Sequence, residues 1–139
     1  MSVIVKDTGF AAEDWTHGFV AEADLPANDP AGTFAVDLAS DADPANLQDR
    51  LADIALVRVD FPSFADGRGF TIARRLRLLG FAGRLRAKGH VLADQYAMAR
   101  RSGFDEVEID DALAARQPED QWRFRADWAA HDYQSRLRA

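Results

Sequence analysis

Asp66-Gly67-Arg68-Gly69 sets an arginine between two glycines, directly ahead of an amphipathic stretch. Glycines let backbone amides approach an anion, a following helix N-terminus favours negative charge, and a guanidinium can grip an oxyanion with two parallel N–H donors. Gly67, Arg68 and Gly69 are therefore anion-binding candidates, with Asp66 in support. Asp66 also opposes an anion at this point, and its alternative role is a helix cap or an ion-pair partner for Arg68. The pattern is neither a Walker phosphate loop nor a dinucleotide-binding glycine turn.

A second polar loop, Arg86-Ala87-Lys88-Gly89-His90, adds Arg86 and Lys88 to the anion candidates. His90 can exchange a proton near neutral pH, and Asp94, four residues on, can orient it. Asp60, at a strand end, is a further acid–base candidate, and Gln95 a supporting polar group. The plain alternative for His90 is a helix-start or surface residue. No second histidine lies near it, and His17 and His131 do not complete a zinc site, so no metal is expected. The absence of cysteine excludes disulfides, thiolate nucleophiles, cysteine-ligated zinc and cysteine-held iron–sulfur clusters within this chain. No motif specifies NAD, flavin or haem, so the cofactor is unknown.

The elements that must position these residues alternate in type. Strands are expected at 33–38, 55–60, 83–87 and 105–109, with Val3–Val5 as a short edge strand. Between them, Asp43-Pro44 starts a helix through Leu47 and Leu51. From Gly69, a second helix carries Ile72, Ala73, Leu76 and Leu79 on one face and closes at Gly80. Val91–Ser102 forms a third, with Leu92, Tyr96 and Ala99 facing inward and Gly103 ending it. Residues 6–32 read as partly extended, with Trp15 and Phe19 buried in the core. Val107 and Ile109 alternate with Glu106 and Glu108, as in a strand with two unlike faces.

This order predicts an α/β fold: a mainly parallel sheet of consecutive βαβ units with right-handed crossovers. An open sheet is preferred, with half of a (βα)₈ barrel as the alternative. The chain reads as one α/β domain over 1–139. If the four strands are parallel, Asp60, Lys88 and Asp110 meet at the sheet edge where such folds bind ligands.

After Pro118 no glycine or proline interrupts the chain, and a C-terminal helix is expected over 118–137. Trp122, Ala126, Ala129 and Tyr133 form one stripe, Phe124 and Trp128 another. The second stripe either packs within the monomer or meets another copy, the expected arrangement being a homodimer. Acidic Glu119 and Asp120 and basic Arg136 and Arg138 suit the two ends of its dipole.

The net charge of −6 is unevenly spread: residues 57–101 hold ten Lys/Arg against three Asp/Glu, a local +7, while residues 1–56 stand at −9. A basic middle can attract a small anion or an acidic partner surface. Its alternative is that Arg74, Arg75, Arg77, Arg100 and Arg101 simply solvate two helices. Nucleic acid is not an expected partner for so acidic a chain without a binding motif. No apolar run reaches the roughly 18 residues of a membrane span. Met1–Lys6 lacks a secretory apolar stretch, so a cytoplasmic location is expected.

Phe61-Pro62, Phe64, Asp66–Phe70, Ala73-Arg74, Leu76-Arg77, Gly83, Leu85–Ala87, Gly89, Val91-Leu92, Asp94-Gln95 and Gly103–Asp105 occur in one order and spacing. Together they resemble the bacterial domain-of-unknown-function 934 family, described as oxidoreductases involved in sulfite reduction. The similarity is dense over a family-like core at 56–109. It implies a setting in assimilatory sulfate reduction and cysteine synthesis, with a sulfite reductase or another sulfur-assimilation protein as partner. Related chains often carry a cysteine where this one has Ser102, so a thiol mechanism cannot run through that position.

Three functions follow as alternatives. A redox enzyme needs a bound cofactor. An accessory protein of a sulfite reductase docks through the basic segment or the C-terminal aromatic helix. An anion sensor or cofactor-free small-molecule enzyme uses Asp66, Arg68, Arg86, His90 and Asp94.

Overall fold

The computed structural model describes residues 2–24 and 34–126. Its strands are β1 (Ser2–Lys6), β2 (Gly9–Ala11), β3 (Val20–Ala21), β4 (Phe34–Leu38), β5 (Ile54–Phe61), β6 (Arg84–Gly89) and β7 (Glu106–Asp110). They form one seven-stranded sheet in the order β2-β1-β7-β6-β5-β4-β3. Strands β3 to β7 are mutually parallel, while β1 pairs antiparallel with β7 and β2 antiparallel with β1. The four expected parallel strands are therefore present. Val3–Val5 is not at the edge, because β2 folds back and covers it.

The helices are α1 (Arg68–Leu78), α2 (Tyr96–Ser102), α3 (Asp111–Arg116) and α4 (Glu119–Arg123). Pro44–Asp53 winds as 3₁₀ turns rather than an α-helix, capped by Asp43, whose side chain accepts from the Ala45 N–H at 3.0 Å. Likewise, the expected helix from Val91 begins with a 3₁₀ turn at Ala93–Gln95 and becomes α-helical only at Tyr96. Gly80 and Gly103 follow α1 and α2 with φ of +101° and +118°, the left-handed conformation that closes helices.

Alternation along the strands divides the sheet into two unlike faces. Val57, Val59 and Phe61 of β5, Leu85 and Ala87 of β6, and Val107 and Ile109 of β7 share one core with Ile72, Ala73 and Leu76 of α1, Tyr96 and Ala99 of α2, Leu47 and Trp122. Connections thus lie on the same face, and β4 to β7 follow chain order, as strands do in a (βα)₈ barrel. The described sheet nevertheless stays open, ending at β2 and β3.

The other face is charged. Strand register sets Asp37, Arg58, Arg86 and Glu106 in one row, and Asp60, Lys88 and Glu108 in the next. Glu106 and Glu108 are only 2% and 5% exposed. Residues 12–19 cross this face. Trp15 and Phe19 within them are half-buried, not core: the Trp15 indole donates to the Gly18 carbonyl, and Phe19 stacks 3.5 Å beneath the Arg58 guanidinium.

Past Arg123 the α4 hydrogen bonds shorten to i−3 spacing at Arg125 and Ala126, and the remainder of the helix expected over 118–137 lies outside the described residues. Trp122 is fully buried, its indole donating to the Gln117 carbonyl, whereas Phe124 is 75% exposed. Trp128, Ala129, His131, Tyr133, Arg136 and Arg138 lie outside the described residues. No described helix is long and apolar enough to cross a membrane.

Candidate functional site

The C-terminal ends of β5, β6 and β7 bring Asp60, Lys88 and Glu108 side by side, through the pairings Asp60 with Lys88 and Lys88 with Glu108. The turn after β6 depends on Gly89. Its φ is +114°, and a Cβ there would stand 2.7 Å from the Phe61 carbonyl oxygen. The next residue uses that oxygen: the His90 N–H donates to it at 2.9 Å, and His90 Nδ1 lies 3.2 Å away. A carbonyl only accepts, so this contact requires the proton on Nδ1 and leaves Nε2 of the neutral ring as the free nitrogen. The Phe64 ring meets the imidazole edge-on at 4.9 Å between centroids.

Beside this turn lies a pocket of about 190 Å³, lined among others by Ser2, Phe64, Lys88, His90, Glu108, Asp110 and Arg116. At about 30 Å³ per water it has room for about six, the size of a small acid or hydrated oxyanion. Its carboxylates are already engaged. Glu108 accepts from Arg58 at 3.1 Å and from Arg86 at 2.9 Å, while Asp110 caps α3 by accepting from the Leu113 N–H at 2.7 Å. Lys88 and Arg116, in contrast, form no ion pair among the described residues. The pocket therefore offers two unspent cations, a histidine nitrogen and an aromatic wall.

Other sequence candidates do not join it. Asp94 accepts from Arg125 at 2.9 Å, so it does not orient His90. Gln95 is structural: its Oε1 accepts from the Leu92 N–H at 2.9 Å, and its amide reaches the Phe64 carbonyl at 3.4 Å.

Arg68 meets a carboxylate of its own loop. Its Nε and one terminal nitrogen donate to the two Asp66 oxygens at 3.0 and 2.7 Å, and it also donates to Ser40 Oγ at 2.9 Å. The Arg68 bonds hold the Asp66 carboxyl well below the usual carboxylate range. The two glycines differ in purpose. A Cβ on Gly69 would sit 2.4 Å from the Phe61 ring, so that glycine serves packing, while one on Gly67 would meet only the Phe70 ring at 3.8 Å.

Arg86 lies on the charged face of the sheet with its side chain fully buried. It donates to Glu106 at 2.6 Å, to Glu108 at 2.9 Å, and in a fork to both oxygens of Glu13 at 2.6 and 2.9 Å. Burial pushes its pKa down, but the Glu13 and Glu106 contacts outweigh this and raise it. Arg68 and Arg86 thus each hold carboxylates of the chain itself. Arg116, Phe64 and Ser2 were not among the sequence candidates, because only tertiary folding brings them beside Lys88. Among the described residues, no group of three or more His, Cys, Asp or Glu is placed to hold a metal ion.

The structure is thus an open α/β sheet with the connections of β4 to β7 on one face and a charged pocket at the strand ends. The chain belongs to DUF934, a family described as bacterial proteins of unknown function, whose model matches residues 35–139. No curated protein and no solved structure matches it.

Proposed function

We propose that the pocket beside Lys88 binds a small oxyanion, and that the protein serves sulfite reduction as an anion-binding accessory. The carrying observation is the pairing state of the charges. Glu108 accepts from two arginines and Asp110 is turned to its helix, while Lys88 and Arg116 line the same space with no ion pair among the described residues. Sulfite fits this chemistry, and the resemblance to the sulfite-reduction family favours it over other oxyanions. His90 Nε2 adds an acceptor for a protonated oxyanion, or a donor once the ring is charged.

The test is thermal unfolding with sulfite, sulfate, phosphate and chloride at matched ionic strength. A ligand of the folded state at one hundred times its Kd adds about 2.7 kcal/mol. Sulfite should raise the midpoint by several degrees, and Lys88→Ala should remove that shift while leaving the ligand-free midpoint unchanged. Equal behaviour of all four salts would overturn the reading.

The oxidoreductase activity implied by the same resemblance is a second reading, in which a bound cofactor supplies the electrons. It is tested separately, by the visible spectrum of the natively isolated protein and by flavin and nicotinamide titrations. Self-association belongs to the accessory role, and the observation favouring it is the exposed Phe124 ring. Sedimentation of the Phe124→Ala, Trp128→Ala double variant should show weaker association than the parent chain.

A further inference from the structure

The outward side of α1 and α2 carries a groove of about 470 Å³, lined by Phe70, Arg74, Arg75, Leu78 and Met98. Leu78 is 80% exposed and Met98 53%. Leu78 and Met98 thus present apolar side chains to solvent on an otherwise charged helical face. The two helices contain six arginines and no acidic residue. Three of those arginines are used internally: Arg68 on Asp66, Arg77 on the Gly103, Phe81 and Gly83 carbonyls, and Arg100 on the Phe104 carbonyl. Arg75 makes a solvent-exposed pair with Asp43 at 3.0 Å, an exchangeable contact. Arg74 is exposed and forms no ion pair among the described residues.

We propose that this groove docks an acidic segment of a different protein, one that inserts apolar side chains between Leu78 and Met98 and sets its carboxylates against Arg74 and Arg75. Charge complementarity selects the occupant. A second copy in two-fold contact through this face would set arginine against arginine. A head-to-tail contact with the acidic N-terminal half would close into a ring or, failing closure, propagate into a filament, and is read in the test as an adduct to the chain itself. Nucleic acid would match the arginines but not an apolar floor. The surface lies on the connection side of the sheet and is independent of the anion pocket at the strand ends.

The test places a photo-activatable benzoylphenylalanine at Leu78 in the full chain, in the cells that produce it, with a second chain carrying it at exposed Ala112 on α3 as control. Adducts are read by peptide mass spectrometry. The expected result is a Leu78-specific adduct to another protein, through a segment rich in Asp, Glu and apolar residues. Its yield should fall at least tenfold when Arg74→Glu and Arg75→Glu are added, with the thermal midpoint of the chain retained. No Leu78-specific adduct, an adduct to the chain itself or to nucleic acid, an attached segment without acidic residues, or a yield indifferent to charge reversal would each overturn the proposal.

Discussion

At the scale of single residues, the same amino-acid type does opposite work in different surroundings. Arg86 is a buried strut. Replacing it with Met removes one of the two arginines on each of Glu106 and Glu108, leaving Arg84 on the first and Arg58 on the second. The loss should therefore be at most that of a fully broken buried pair, about 3–5 kcal/mol. Urea unfolding should show a loss within that bound. Lys88→Ala, on an exposed side chain without an ion pair among the described residues, should stay within about 0.5 kcal/mol of the parent. The two glycines around Arg68 give a matched pair. Gly69→Ala drives a methyl into the Phe61 ring and should cost about 1–3 kcal/mol. Gly67→Ala has room and an ordinary negative φ of −94°, and should be neutral or stabilising by up to about 1 kcal/mol. Equal losses from the two would contradict the packing role assigned to Gly69.

At the scale of elements, the segment at residues 12–19 is tied to the sheet mainly through ionised groups. Burial pushes the Glu13 carboxyl up, but the Arg86 and Trp15 hydrogen bonds outweigh it and the net shift is downward. Asp14 is lowered chiefly by its bond from Arg84. Carboxyls lowered in the folded state bind protons more readily when unfolded. Their stabilisation is therefore complete above their ordinary values of 4.5 and 3.8 and is lost as pH falls through the lower folded values. Stability should be level from about pH 6 to 7 and fall below about pH 4.5. Glu13→Gln should flatten part of that fall; a Glu13→Gln profile parallel to the parent's would show that the segment is not held by this charge.

The same elements show what was legible in sequence. The parallel strands and the meeting of Asp60 with Lys88 followed from period-two apolar runs, because a strand buried on one face leaves that trace. The type of the Pro44–Asp53 turns did not follow, since Leu47 and Leu51 suit an α-helix or 3₁₀ turns with similar spacing. Glu106 and Glu108 read as the polar side of a strand. Nothing local in sequence shows that Arg58, some fifty positions earlier, or Glu13, seventy-three from Arg86, closes over that face. Arg68 is the reverse case: its partner Asp66 stands two residues away, and the ion pair named in sequence as its alternative role is formed.

At the scale of the whole molecule, an acidic chain sets cations without a buried partner in two concave places among the described residues. One is the pocket at the strand ends with Lys88 and Arg116, the other the arginine-rimmed groove of α1 and α2. Anion binding at the first is tested by a sulfite titration followed by backbone amide NMR, with sodium chloride at equal ionic strength as reference. Saturable shifts are expected, centred on Lys88, Gly89 and His90 and extending to Arg116, with Gly67 to Gly69 unmoved and the response lost in Lys88→Ala. Shifts centred on Gly67 to Gly69, or shifts no different from those of chloride, would contradict anion binding at this pocket.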